Sequence, residues 1–218
     1  MLSVVIPALN ASAALGATLA SITAADEVVV VDGGSTDGTA ALAAAQNARV
    51  VAGARGRGQQ LADGVAAATG DWLLLLHADT RLAPGWRAVV ATHMAIAPDR
   101  AGYCRFALDS DDPRARRLER LVAWRCRVLA LPYGDQGLLI HRDLLTDIGG
   151  IRGLPLMEDV DLVRRLGRRR LVALDVAAVT SAEKWQRQGW SRRSLRNLLC
   201  LGLYFVGVPP RLIVRLYA

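Results

Sequence analysis

Two runs of four unbroken apolar residues, VVVV at positions 28–31 and LLLL at positions 73–76, each run directly into a short polar stretch holding an acid. That acid is Asp32 in the first and Asp79 in the second. A run with no polar residue at a period of two has no solvent face, so it must form a strand covered on both sides. Helix-like and strand-like segments alternate around these runs. Strands are expected at 3–7, 27–31, 49–52 and 72–76. Helices are expected at 11–24 (capped by Asn10 or Ser12), 39–47 and 59–68. A series of this kind implies βαβ units, hence an α/β fold with a mostly parallel sheet flanked by helices.

The second half is less regular. Strands are expected at 103–108, 138–141, 171–174 and 177–179. A basic amphipathic helix starts at Pro113 and runs to 131, another helix spans 158–166, and an amphipathic tail from Ser191 is broken at Pro209 and Pro210. No repeat or linker divides the chain. The expectation is one domain over 1–218, in two halves at 1–100 and 101–190 followed by the amphipathic tail at 191–218.

The net charge of +7 is unevenly spread. Residues 1–100 hold six arginines against eight acids, so the basic excess lies entirely in the remainder. Such asymmetry points to an anionic partner for the second half. Three scattered cysteines, Cys104, Cys126 and Cys200, make neither a disulfide framework nor a thiolate zinc site, and suit a reducing, cytoplasmic compartment. The longest apolar run, 198–208, is well short of the roughly 20 residues that span a bilayer.

Ligands in open parallel sheets bind beyond the carboxyl ends of the strands. Asp32, with GGSTDGT after it, stands at such an end and suits a base or ribose, although an ordinary βα turn would look similar. Asp79 follows the second apolar run, where a carboxylate needs a partner. A divalent cation bridging to a diphosphate is one, and His77, two residues earlier, shares its face. In YGDQG, Asp135 and Gln136 offer a carboxylate and an amide to a polyhydroxylated ligand. In MEDVD, Glu158 and Asp159 open a helix, and Asp159 suits a general base acting on an acceptor hydroxyl. KWQRQGW, positions 184–190, interleaves cations with aromatics and suits a clamp on diphosphate and sugar.

In order and spacing these segments resemble a family 2 glycosyltransferase of the GT-A fold. The segments that carry the resemblance are SVVIPALN, VVVVDGGSTDGT, GRGQQLADGVAAATGDWLLLLHADT, LPYGDQGLLIHRD, GGIRGLPLMEDVDLVRRL and GVPPRLIVRLY, nearly the whole chain. More narrowly, the chain resembles a small bacterial subgroup found beside radical-SAM and selenium- or arsenic-related genes. The resemblance implies that Pro7, Asp32 and Arg57 line the nucleotide site. It implies that Asp79, with His77, binds Mn²⁺ or Mg²⁺, and that Asp135 and Gln136 meet sugar or acceptor. Asp159 would be the base of an inverting reaction, with Glu158 beside it, and Trp185 and Arg187 would match the family's QxxRW-like segment. Three departures stand out: Ala11 where the family usually has Glu, His77 in place of the first acid of the DxD element, and Glu183 where a basic residue is expected.

The function expected is metal-assisted transfer of a sugar from a nucleoside-diphosphate sugar, UDP-linked by preference, to a hydroxyl on a small-molecule or lipid-linked acceptor. A nucleotidyltransferase of related fold is the enzymatic alternative, but ALNASAALG follows the first strand where such an enzyme carries a Gly/Arg/Lys-rich triphosphate loop. A basic binding module is the other alternative. It leaves the strand-end acids without a role, and no nucleic-acid-binding motif is present. The arginine-flanked apolar tail suits either peripheral contact with an anionic membrane or packing, on its own domain or on a second copy in a homodimer.

Overall fold

A computed structural model describes residues 1–217. In chain order the elements are β1 (Leu2–Ala8), α1 (Ser12–Ser21), β2 (Glu27–Asp32), α2 (Thr39–Ala45), β3 (Arg49–Ala52), α3 (Arg57–Ala67) and β4 (Trp72–Leu75). Next come β5 (Thr80–Leu82), α4 (Trp86–Ile96), β6 (Ala101–Asp109), α5 (Pro113–Leu129), β7 (Leu138–His141), α6 (Arg142–Asp147) and α7 (Glu158–Leu166). The chain closes with β8 (Leu171–Ser181), α8 (Glu183–Gln188), α9 (Trp190–Phe205) and α10 (Pro210–Tyr217).

All eight strands form one sheet, in the order β3-β2-β1-β4-β7-β6-β8-β5. The first four are parallel, as the βαβ pattern requires. β7 then runs antiparallel to β4 and to β6, and β8 runs parallel to β6. Two reversals restore direction, so the carboxyl ends of β1, β2, β4, β6 and β8 and the start of β7 all meet on one edge. Every site residue proposed from sequence lies on or beyond that edge.

The apolar runs fill two cores. Val30, Leu74 and Leu76 pack on one face of the sheet with α1 and α4, and Val29, Val31, Leu73 and Leu75 pack on the other with α3 and α7. α3 can lie this close to the sheet because Gly64 has no side chain: a Cβ there would sit 2.4 Å from Val5.

The structure differs from the sequence reading in four places. β5, α4, α6 and α8 were not expected, being short or Ala-rich without clear period. β8 is one strand of eleven residues rather than two short ones, because a bulge at Asp175 and Val176 interrupts the alternation and not the pairing. The helix from Pro113 stops at Leu129, where Ala130 takes a left-handed conformation. Neither Asn10 nor Ser12 caps α1. The amides of Ala11 and Ser12 donate to Thr39, the first residue of α2, and to Asp37 of the loop after β2, which ties that loop to the first strand–helix turn. Hydrogen bonds from the Thr39 hydroxyl and the Ser12 amide hold the Asp37 carboxyl far below the usual range. All three cysteines are buried and free.

Candidate active site

The loop after β4, the loop before β7, the start of α7 and the start of α8 converge on one cavity of about 430 Å³. One end of it is charged. The donor atoms of His77, Asp79 and Asp135 all lie within 4.8 Å of one another. His77 Nδ1 and Asp135 Oδ1 are in very short contact, and Lys184 Nζ donates to Asp79 Oδ2 at 2.8 Å. Burial would raise the Asp135 carboxyl. The fields of His77, Arg57 and Lys184, with the His77 hydrogen bond, outweigh that and hold it at about 2.

Asp135 is held in place from below. The Arg125 guanidinium stacks 3.7 Å over the Tyr133 ring and donates to the Leu131 and Tyr133 carbonyls and to Gln136. Gln136, only 3% exposed, spends its other amide end on the Cys104 carbonyl. It therefore braces the loop and turns away from any ligand in the cavity.

Asp159 is the central carboxylate. Gly134 N donates to its Oδ2 at 2.7 Å and Val160 N donates to its Oδ1 at 2.7 Å, which fixes the group at the cavity wall. Gly134 reaches it with φ of +76°, a backbone shape that favours glycine. Glu158 borders the same cavity but is almost closed off from it. It is 2% exposed, and Arg57 Nε lies 3.5 Å from its Oε1. Burial first, and the neighbouring Asp159 second, raise its carboxyl above the ordinary glutamate value, against the pull of Arg57.

A consequence for stability follows. A glutamate raised in the fold binds more protons folded than unfolded, so its contribution falls as pH rises from the unfolded value toward the folded one. Glu158→Gln is expected to raise Tm at neutral pH and to give little or no gain near pH 4. Thermal denaturation across that range checks it, and a Tm loss at neutral pH would show that the Arg57 pair outweighs the desolvation.

Pro7 and Asp32 end β1 and β2 farther along the same edge. Asp32 Oδ2 accepts from the Gly34 and Ser35 amides, while its Oδ1 is buried with no partner among the described residues. That is the state expected of a group awaiting a ligand donor. Trp185 lines the cavity, its ring buried near Phe106 and beneath Arg193. Arg187 does not join it: it is exposed and pairs with Glu183 one turn back on α8. Of the two cations in the KWQRQGW segment expected to clamp diphosphate, it is Lys184 that reaches the charged end. One signal was available: it is the single lysine in a chain whose other basic residues are all arginine.

The chain's relatives agree with this geometry. The sequence profile of glycosyl transferase family 2 matches residues 3–155. An uncharacterised glycosyltransferase of Mycobacterium tuberculosis is 41% identical over 186 residues, covering 80% of this chain and 84% of that protein, and a Mycobacterium bovis protein of the same description matches equally. Among solved structures, glucosyl-3-phosphoglycerate synthase of M. tuberculosis with Mn²⁺ and UDP-glucose superposes with a TM-score of 0.63 at 25% identity, covering 91% of this chain and 78% of that one. The same enzyme with Mn²⁺, UDP and glucosyl-3-phosphoglycerate gives 0.59 at 25% identity, over 81% and 70%. With the family profile over most of the chain, the 41%-identical relatives and the shared fold in agreement, this protein belongs to glycosyltransferase family 2 and is a glycosyltransferase of the GT-A fold.

Proposed function

We propose that the protein moves a sugar from a nucleoside-diphosphate sugar, a UDP-sugar first among them, to an acceptor hydroxyl with inversion at the anomeric carbon. The observation that carries this reading is the single cavity holding a fixed, accessible carboxylate, Asp159, beside a cationic and metal-competent end. Asp159 accepts the acceptor proton. The acceptor oxygen bonds to the anomeric carbon, and the bond to the diphosphate breaks with its electron pair leaving on the nucleotide. Lys184 and Arg57 face that departing charge.

The donor set fits Mn²⁺ or Mg²⁺. Two ligands at about 2.1 Å from one ion are at most about 4.2 Å apart, so the cluster needs to contract only slightly. Two carboxylates suit either ion, and the imidazole of His77 favours Mn²⁺. A bound ion would supply Lewis-acid stabilisation of the diphosphate. It would compete with Lys184 for Asp79, leaving that ammonium free to meet phosphate. The synthase structures that hold Mn²⁺ with UDP or UDP-glucose support the same choice of ligands.

The unpaired Oδ1 of Asp32 suits an N–H of the base, with Pro7 and Arg57 beside the nucleotide. The 1–100 segment is then the nucleotide half and 101–190 the acceptor half of one domain. HADT and GVPPRLIVRLY favour the subgroup associated with radical-SAM and selenium- or arsenic-related genes. Among the described residues no helix is long and apolar enough to cross a membrane. A thermal-shift screen of UDP-, GDP- and TDP-sugars tests the reading: UDP-sugars with Mn²⁺ are expected to raise Tm most, by mass action on the folded state. A largest shift with nucleoside triphosphates would favour a nucleotidyltransferase instead.

A further inference from the structure

The cavity does not end at Asp159. Beyond it, α5 and α9 form apolar walls from Leu118, Leu121, Trp124, Leu129, Leu198 and Leu201. Between the charged end and this apolar end, buried polar atoms stand without partners among the described residues: the Trp185 indole N–H, the Arg193 Nε–H and the Asn197 Oδ1. Trp185 and Arg193 are each more than nine-tenths buried. Two donors and an acceptor, unpaired in a cavity, mark the seat of a polar group. The apolar walls beyond them mark the seat of a chain.

The mouth of this groove has unusual chemistry. Leu121, Trp124, Leu198 and Leu199 are each about half exposed or more. On α5, Arg117, Leu121, Trp124 and Val128 recur at three- and four-residue spacing, and the exposed Arg120 and Arg127 flank Trp124 on the same face. On α9, Leu195 and Leu199 form a comparable exposed stripe with Arg192 at its start, and exposed Val206 follows just past the helix end. α10 adds exposed Leu212 and Leu216, each directly after an arginine, Arg211 and Arg215. An anionic bilayer surface suits the arrangement, since apolar side chains enter the acyl boundary and arginines meet headgroup phosphates.

We propose that the acceptor is a hydroxyl-bearing lipid taken from an anionic bilayer, its chain lying in the α5–α9 groove and its hydroxyl at Asp159. This rests on the transferase reading above and names its acceptor class. The bonds made and broken are those already given, with the lipid hydroxyl as the nucleophile and Asp159 as the proton acceptor.

The test is co-sedimentation of the full chain with vesicles of phosphatidylglycerol and phosphatidylcholine, and with phosphatidylcholine alone. The chain is expected to pellet with the anionic vesicles at low salt and to be released as salt rises, since surface attraction is screened within about 8 Å at physiological ionic strength. Leu121→Ser with Leu198→Ser should weaken the partition by about tenfold or more, as two large apolar side chains leave the interface. Arg117→Glu with Arg120→Glu should weaken it similarly through charge alone. Unchanged circular dichroism and Tm establish that both variants fold. If the parent stays in the supernatant at low salt, or both variants pellet like the parent, the lipid acceptor is wrong. A parent that stays in the supernatant as a dimer, and becomes monomeric in both variants, would assign the face to a second copy and equally overturn the proposal. Mn²⁺-dependent UDP binding is measured on the same parent sample, and its failure counts against the transferase reading alone.

Discussion

Asp159→Asn is expected to cut turnover at saturating donor by roughly 10²–10⁴-fold, the usual worth of a general base, while leaving donor affinity almost unchanged. The side chain keeps its size, so the acceptor and donor still meet. What is lost is the site for the acceptor proton. The variant carries one structural cost: the carboxylate accepts one backbone N–H on each oxygen, from Gly134 and Val160, and an amide offers only one oxygen. One amide loses its partner, which costs on the order of 1 kcal/mol of stability and leaves the fold in place. Release of UDP from a UDP-sugar measures turnover, and calorimetry measures donor affinity. Normal turnover with weakened donor binding would show that Asp159 holds the donor and is not the base.

Asp79→Ala is expected to remove the Mn²⁺ dependence of nucleotide binding. In the parent, UDP should bind tenfold or more tightly with Mn²⁺ than with chelator, about 1.4 kcal/mol or more of coupling. In the variant that ratio should fall to near one. The loss of binding need not be total, because Lys184 also loses its 2.8 Å partner and becomes a free cation facing the diphosphate. The ratio, and not the affinity in either condition alone, is therefore the informative quantity. An unchanged ratio would move the metal away from the strand-end cluster.

Much of this was legible in the sequence because the parallel strands are buried on both faces and leave no choice of period. The VVVV and LLLL runs mark both strands and, at their ends, the acids proposed for nucleotide and metal. Asp159 and Glu158 were legible as a helix start, but their opposite roles were not. Both border the cavity, but one residue of register leaves Asp159 partly exposed beside Gly134 and buries Glu158 against Arg57, and only packing decides which. Gln136 and Arg187 show the limits of segment-level reading. Gln136 sits in the right loop and is consumed by Cys104 and Arg125, while Arg187 sits on the right helix and lies against Glu183. Lys184, three residues before Arg187 on α8, is the cation the fold delivers, because β8 runs unbroken to the same edge as β4. The bulge that hid this continuity leaves the strand pairing intact and breaks only the pattern that a sequence reading depends on.

The central claim is that one strand-end cluster and one helix-start carboxylate form a metal-assisted nucleotide-sugar site. Titration calorimetry of UDP-glucose into the parent, with Mn²⁺ and then with chelator, tests it most directly. Saturable binding to one site per chain is expected with Mn²⁺, weakened by tenfold or more when the ion is removed. Equal affinity in both conditions, or no binding in either while a nucleoside triphosphate binds, would contradict it.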